Sequence, residues 1–249
     1  MNTFSLCLGT FSLLLAVSGF AADTGTLWIQ TGFGPQTLMA SNVNGADFSI
    51  TVTSAPDTGG YRAVDVHTYG PGGHLIQKDR FGSSGATSQT FSVRNAGGGL
   101  YKIVLRGRDG QRGYYRINTS LPKLVLGGWT QFGVWVWQKR FAEGDYFFYI
   151  PPGVSSFLFY SHHNIPNAWA HFKIFDSGSR LFLDTYSPKE DGVHFIEVPA
   201  RENGRYWRAN VYHWSRTRFK CIGIPDWFSS SKASWFNPDE IITCGQRPE

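Results

Sequence analysis

The segment from Tyr206 to Lys220 interleaves aromatic and basic side chains. If it forms a single β-strand, alternate side chains share a face, and Trp207, Ala209 and Val211 belong to the inward one. Rings on the outward face could stack on sugar rings while its cations pair with carboxylates or sulfates. The pattern predicts a binding face for an acidic polysaccharide; the alternatives are a solvated face and an interface to the first half of the chain. The predicted outward residues are Tyr206, Arg208, Asn210, Tyr212, Trp214, Arg216, Arg218 and Lys220.

A second aromatic group comprises Trp129, Phe132, Trp135 and Trp137. On a strand, Trp135 and Trp137 would project from one face, so they are either ligand contacts or core residues. Eight of the nine tryptophans lie from Trp129 onward, which favours the second half for ligand contact.

Metal-binding and nucleophile motifs are absent from the sequence. His162 and His163 are adjacent and would point to opposite faces of a strand, and no pair of histidines has chelating spacing. Neither a metal nor a cofactor is therefore predicted. No GxSxG motif occurs, and the carboxylates lie mainly in turn-like settings, so no glycosidase pair can be selected.

The N-terminal segment Met1 to Ala22 contains no Asp, Glu, Lys or Arg, and residues 6–17 are mostly apolar. This composition predicts a signal peptide, cleaved after Ala21 or Ala22, and a secreted or periplasmic product; a buried N-terminal helix is the alternative. The net charge of +5 favours acidic surfaces or polyanions but does not indicate nucleic acid. No second apolar stretch reaches membrane-spanning length.

Two cysteines, Cys221 and Cys244, follow the predicted signal peptide, whereas Cys7 lies within it. In an oxidising compartment the simplest expectation is a Cys221–Cys244 disulfide that ties the C-terminal tail to the last long strand. Two free buried thiols are the alternative.

The remaining chain shows short alternating runs bounded by Gly, Pro, Asn, Asp or Ser, without a clean helical stripe. This pattern predicts an all-β protein of two tandem, internally repeated antiparallel β-sandwiches, of jelly-roll or immunoglobulin-like type. The repeat is indicated by Tyr69-Gly-Pro-Gly and Phe175-Asp-Ser-Gly, which lie 106 residues apart, and by Gly98 and Gly204 at the same offset. Tyr101 and Trp207 are expected to be equivalent and buried.

The predicted domain division places the signal peptide at residues 1–22, the first sandwich at 23–122 and the second sandwich with its C-terminal tail at 123–249. The polar stretch from Asn118 to Lys123, which contains Pro122, is the expected linker.

The second half contains four groups of residues that together carry a resemblance. They are Tyr149-Ile-Pro-Pro-Gly with Phe157, Phe175-Asp-Ser-Gly, Val198-Pro with Gly204 and Trp207, and Ile224-Pro with Asn237-Pro-Asp-Glu. With these motifs the second half, roughly residues 146–241, resembles β-sandwich modules found beside polysaccharide-degrading domains in secreted bacterial proteins. The resemblance implies a sandwich fold and a carbohydrate setting, and it implies no catalytic residues.

Three functions fit these observations. The first is a secreted, non-catalytic protein that binds acidic extracellular polysaccharide. The second is an enzyme on the same substrate class, a polysaccharide lyase or glycosidase, and a lyase would need a base beside a cation that neutralises a uronate. The third is a structural or adhesive envelope protein. Residue types suited to a lyase are present at Arg208, Tyr212, His213 and Arg216.

Overall fold

The computed structural model confirms the all-β class. Strands make up most of the described chain, together with a single turn of 3-10 helix at Ala200–Glu202 and one short α-helix, α1, at Pro238–Thr243. No helix within the described ranges is long and apolar enough to cross a bilayer. The predicted signal peptide lies outside the described residues, which are 27–31, 35–54, 63–82, 87–107, 113–127, 144–163, 170–187, 192–213 and 217–243.

Seventeen described strands follow one another along the chain. Those of the first half are β1 (Leu27–Thr31), β2 (Gln36–Asn42), β3 (Phe48–Ser54), β4 (Val64–Tyr69), β5 (Leu75–Phe81), β6 (Ser88–Val93), β7 (Gly99–Gly107), β8 (Gly113–Thr119) and β9 (Lys123–Gly127). Those of the second half are β10 (Gly144–Ile150), β11 (Ser156–His163), β12 (Ala170–Phe175), β13 (Leu181–Ser187), β14 (Gly192–Glu197), β15 (Arg205–His213), β16 (Thr217–Ile222) and β17 (Trp227–Phe228).

The strands form four antiparallel sheets. Sheet 1 has the order β1-β8-β3-β6 and sheet 2 the order β17-β9-β2-β7-β4-β5, whereas sheet 3 is β10-β15-β12-β13 and sheet 4 is β14-β11-β16. Sheets 1 and 2 enclose one part of the core, where Phe48 and Tyr101 meet edge to face with ring centroids 4.9 Å apart. Sheets 3 and 4 enclose the other, where Phe157 meets Trp207 at 5.8 Å. The predicted sandwich architecture is thus confirmed.

Period-two alternation explains why these segments form strands with one buried face. In β3, for example, Phe48, Ile50 and Val52 are buried, whereas Ser49 and Thr51 between them remain partly accessible. β-branched and aromatic residues fill such half-buried pleated positions well.

The two halves share strand order and pairing register. The order β2-β7-β4-β5 of the first half corresponds to β10-β15-β12-β13 of the second. The pair Val64↔Gly107 has its counterpart, 106 residues later, in Ala170↔His213. Tyr101 and Trp207 are both buried, as expected. A common origin of the halves stays a prediction, as does the domain division at residue 122; β9, which follows that position, pairs with β2.

The two-residue strand β17 connects the two halves through the backbone. On one side Phe228 pairs with Leu126 of β9 in sheet 2. On the other side Ser229, the next residue, exchanges hydrogen bonds with Phe147 of β10 in sheet 3, at 2.8 and 3.0 Å. The Phe228 ring enters the core of the second sandwich, 5.0 Å from that of Phe219. One short segment therefore belongs to both halves.

The side chain of Trp235 completes this connection on the outer surface of the sheets. Its indole N–H donates to the carbonyl of Trp227 at 2.8 Å, and its own carbonyl accepts from Lys123 Nζ at 3.0 Å. The ring lies 5.1 Å from that of Tyr149 on β10 and 5.6 Å from that of Tyr206 on β15. It also packs in a buried cluster with residues of sheet 2, namely Met39, Leu100 and Val125.

The expected Cys221–Cys244 disulfide is not formed in the structure. Cys221 is a free thiol, and Cys244 lies outside the described residues. The physical reason is the direction of the side chain: Cys221 points into the core from β16, whereas the next residue, Ile222, is exposed. Burial raises the pKa of the Cys221 thiol, as does the nearby Asp226 carboxylate. A buried, protonated thiol of this kind is chemically inert.

We predict that Trp235→Ala lowers the free energy of unfolding by about 3 to 5 kcal/mol, because the substitution leaves a cavity between the two halves. Chemical denaturation would measure this loss. Phe195→Ala is the control, because the Phe195 side chain is 64% exposed and its removal should cost well under about 1 kcal/mol. A Trp235→Ala loss as small as that of the control would contradict the assigned role of Trp235.

We also predict that stability depends on the protonation of Asp226. Burial raises the pKa of Asp226 from 3.8 to about 7, although a hydrogen bond from the Cys221 backbone N–H and the charge of Lys220 oppose the change. The folded chain therefore holds a proton that the unfolded chain releases between about pH 4 and 7, so the free energy of unfolding falls as pH rises through that window.

Asp226→Asn keeps an oxygen that can accept from Cys221 but cannot ionise, so it should abolish this fall. Above pH 7 the variant should be more stable than the parent by roughly 2 to 4 kcal/mol, with little difference near pH 4. Urea unfolding at pH 4, 5, 6, 7 and 8 would measure both profiles. Parallel profiles for parent and variant would show that Asp226 does not titrate in this window.

Candidate functional site

The segment from Tyr206 to Lys220 is two strands rather than the single strand expected from its sequence. β15 ends at His213 in sheet 3, and β16 begins at Thr217 in sheet 4. The alternation holds within β15, where Trp207, Ala209 and Val211 are buried. The expectation of one continuous strand is therefore wrong, and the described residues of the predicted face are divided between sheet 3 and sheet 4.

The outward side chains of β15 lie instead between those of β10 and β12, and β13 continues the same face beyond β12. Register places Tyr212 next to His171, and His171 next to Tyr186. Two further rows run parallel to this one across the strands. We call the three rows together the sheet-3 face; they are Tyr212, His171 and Tyr186; Asp145, Asn210, Lys173 and Asp184; and Phe147, Arg208, Phe175 and Leu181.

Arg208 is held in place by two neighbours on this face, Asp145 and Phe175. Its Nη1 donates to Asp145 Oδ2 at 2.8 Å, and the other carboxylate oxygen of Asp145 accepts from Asn210 Nδ2 at 2.9 Å. The guanidinium also lies over the ring of Phe175, 4.4 Å from its centroid. Ion pairing and cation–π contact orient the planar guanidinium, so Arg208 is a fixed donor whose charge is already compensated.

A second polar group, formed by His171 and Asp184, lies on neighbouring strands. His171 Nε2 is hydrogen-bonded to Asp184 Oδ1, and its ring lies 6.4 Å from that of Tyr186, edge to face. The hydrogen bond with His171 lowers the pKa of Asp184, burial opposes this change, and the charges of His171 and Lys173 lower the pKa further. Asp184 is thus an ionised acceptor at neutral pH, beside the exposed ring of Tyr186.

The sheet-3 face offers rings with apolar surfaces next to oriented donors and acceptors. Tyr212 and Tyr186 lie on strands separated by one other strand, hence about 10 Å apart. The two cations, Arg208 and Lys173, are matched by two carboxylates, Asp145 and Asp184. Such a surface has the groups to stack on and hydrogen-bond to a flat, polyhydroxylated ligand. In the described part of the chain, no three His, Cys, Asp or Glu side chains are grouped to hold a metal ion.

The other residues predicted for binding are not brought to this face by the described structure. Arg218 lies on β16 in sheet 4, where it pairs with His162 of β11. Its side chain is outside the described residues. Four further predicted residues, Trp135, Trp137, Trp214 and Arg216, lie outside the described residues entirely.

Sequence reasoning missed the residues that neighbouring strands contribute, above all Asp145, His171, Asp184 and Tyr186. The 106-residue offset contained a usable signal, because corresponding residues of the first half also face outward and interact. Asp65 pairs with Arg80 at 3.0 Å, and Lys102 Nζ lies 4.6 Å from the centroid of the Tyr69 ring.

The cation over a ring is common to both halves, since Lys102 and Tyr69 correspond to Arg208 and Phe175 at the same offset. The other row differs. In the first half Asp65 and Arg80 form an ion pair. At the same offset the second half has His171 and Tyr186. The second half therefore has an exposed aromatic ring where the first has a salt bridge.

Comparison with known proteins gives no family. No family model matches the sequence, and no curated protein matches it. Among solved structures, the N-terminal CBM22-1-CBM22-2 tandem domain of Xyn10C from Paenibacillus barcinonensis is 11% identical over 84% of each chain, with a TM-score of 0.22. Cowpea mosaic virus top component is 8% identical over 92% of this chain and 99% of that one, with a TM-score of 0.23. TM-scores this low carry no argument about function.

We predict that Asp145 and Arg208 stabilise the sheet-3 face through their ion pair. A double-mutant cycle with Asp145→Ala and Arg208→Ala should give a coupling free energy of about 1 kcal/mol by chemical denaturation, reduced in 1 M salt. The Asp65 and Arg80 pair is the matched control; Arg80 is 47% exposed, compared with 29% for Arg208, so its coupling should be smaller. Equal coupling in the two pairs would contradict this assignment.

Proposed function

We propose that the protein is a non-catalytic carbohydrate-binding protein whose binding surface is the sheet-3 face. The observation that carries the proposal is the row Tyr212, His171 and Tyr186, in which an exposed ring stands beside a fixed hydrogen-bonding pair. A pyranose ring has an apolar face of C–H groups and a rim of hydroxyls. The first can stack on tyrosine, while the second exchanges hydrogen bonds with carboxylate, imidazole and amide groups.

Non-catalytic binding is supported by the state of the charged groups. A lyase would use a free cation against the uronate carboxylate, but Arg208 already donates to Asp145. Arg208 and Tyr212 are also in different rows of the face. The residue types expected for a lyase are present, but the described ones do not form a base and cation that converge on one point.

The preference for acidic polysaccharide stays a prediction, supported by the net charge of +5. The sheet-3 face itself is charge-balanced, so any preference for an acidic glycan would come from the net charge of the whole chain. Salt should screen that long-range attraction, whereas it should leave ring stacking unchanged. Export to the periplasm or medium likewise stays a prediction, supported by the uncharged apolar N-terminus.

We predict that Tyr186→Ala lowers the affinity of the protein for an oligosaccharide about 5-fold, because one stacked ring contributes about 1 kcal/mol. Tyr186→Phe keeps the ring and should bind nearly as well as the parent. Arg80→Ala, at the corresponding position of the first half, is the matched control and should leave binding unchanged. Calorimetric titration with xylohexaose, cellohexaose, mannohexaose and hexagalacturonate would measure each affinity.

Three results of these titrations would each reject the proposal for the sheet-3 face. They are unchanged binding by Tyr186→Ala, an equal loss with Arg80→Ala, and no binding of any oligosaccharide by the parent. Release of unsaturated products from hexagalacturonate would instead identify a lyase.

A further inference from the structure

A groove of about 480 Å³ opens at the edge of the second sandwich, where β11 begins and β14 ends. Its volume is in the range of small-molecule sites. The lining residues that concern a ligand are Phe182, Phe195, Glu197, Ser155 and Ser156. None of these belongs to the sheet-3 face.

The two aromatic rings of the groove differ in how they are held. Phe182 packs on Trp207, with ring centroids 4.7 Å apart, and the Arg180 guanidinium lies 5.4 Å from its centroid. Phe195, on the outer face of β14, is 64% exposed. One wall of the groove is thus fixed against the core, while the other offers a large apolar ring on which a ligand could stack.

The polar groups of the groove are placed for hydrogen bonding to a ligand. Ser156 and Glu197 are directly opposed across β11 and β14. The backbone N–H of Val198 donates to the carbonyl of Ser155 at 2.8 Å, which fixes the chain at this end. Among the described residues, none makes a hydrogen bond or ion pair with the Glu197 carboxylate or with the hydroxyls of Ser155 and Ser156.

We propose that this groove is a second saccharide site, selective for an uncharged sugar ring. The carboxylate of Glu197 can accept from two neighbouring sugar hydroxyls, the serine hydroxyls can bond to the ring's remaining oxygens, and Phe195 supplies the stacking surface. A uronate or sulfate in the groove would meet the like charge of Glu197, whereas the Arg180 guanidinium is engaged over the ring of Phe182. The proposal rests on the proposed function, because it assumes that carbohydrate is the ligand class.

The test uses the full chain with two groove variants, Phe195→Ala and Glu197→Gln. Ile222→Ala is the matched control, because Ile222 is exposed on the same sheet but does not line the groove. Each variant is titrated with the neutral hexasaccharides and hexagalacturonate named above, beside the parent and Tyr186→Ala. Thermal unfolding confirms that every variant remains folded.

The proposal expects Phe195→Ala and Glu197→Gln each to weaken binding of at least one neutral hexasaccharide about 5-fold or more, with Ile222→Ala unchanged. Glu197→Gln should also improve hexagalacturonate binding, because the like charge is removed.

Groove variants that bind neutral sugars like the parent would overturn the proposal, even if Tyr186→Ala loses affinity and the proposed function stands. If the groove variants lose affinity for neutral sugars while Tyr186→Ala binds like the parent, the result would support the groove as a binding site and reject the sheet-3 face. If the parent binds no sugar, both proposals fail.

Discussion

The pairing of β17 with two different sheets is the interaction on which the arrangement of this molecule depends. Phe228 extends sheet 2 through β9, and Ser229 hydrogen-bonds to Phe147 at the edge of sheet 3. Without this segment, β9 and β10 would each present an unpaired edge, a costly and aggregation-prone arrangement. The insertion of the Phe228 ring beside Phe219 adds apolar burial to the backbone pairing, so the connection is both polar and hydrophobic.

The same segment determines which part of sheet 3 is available to a ligand. Trp235 packs on Tyr149 and Tyr206, the outward residues at the end of β10 and the beginning of β15. The sequence placed Tyr206 on the predicted binding face, but in the structure it is a stabilising contact of the C-terminal segment, as is Tyr149. Of the outer surface of sheet 3, the part that remains accessible is therefore the three rows of the sheet-3 face.

Burial was predictable from the sequence to a greater extent than strand boundaries or neighbours. Alternation correctly places Trp207 and Val211 inside, and it also assigns Phe219 to the same inward set. Phe219 is indeed buried, but from the opposite sheet. Odd-numbered residues point inward in both β15 and β16, as Val211 and Phe219 do. A periodic pattern therefore cannot reveal that one strand has ended and another has begun. The partner of Arg208 was equally hidden, because Asp145 lies 63 residues away and only strand register brings the two together.

The two halves show how one backbone plan can carry different surface chemistry. Where register is shared, the inward positions must remain large and apolar, as with Tyr101 and Trp207, since any loss there leaves a cavity. The outward positions have no such constraint. An ion pair between Asp65 and Arg80 satisfies the first half locally and leaves little for a ligand to gain. At the corresponding positions His171 engages Asp184 and leaves the Tyr186 ring, 57% exposed, as apolar surface that solvent hydrates poorly. A ligand that covered this ring would remove apolar area from water, a gain that the ion pair at the corresponding positions of the first half does not offer.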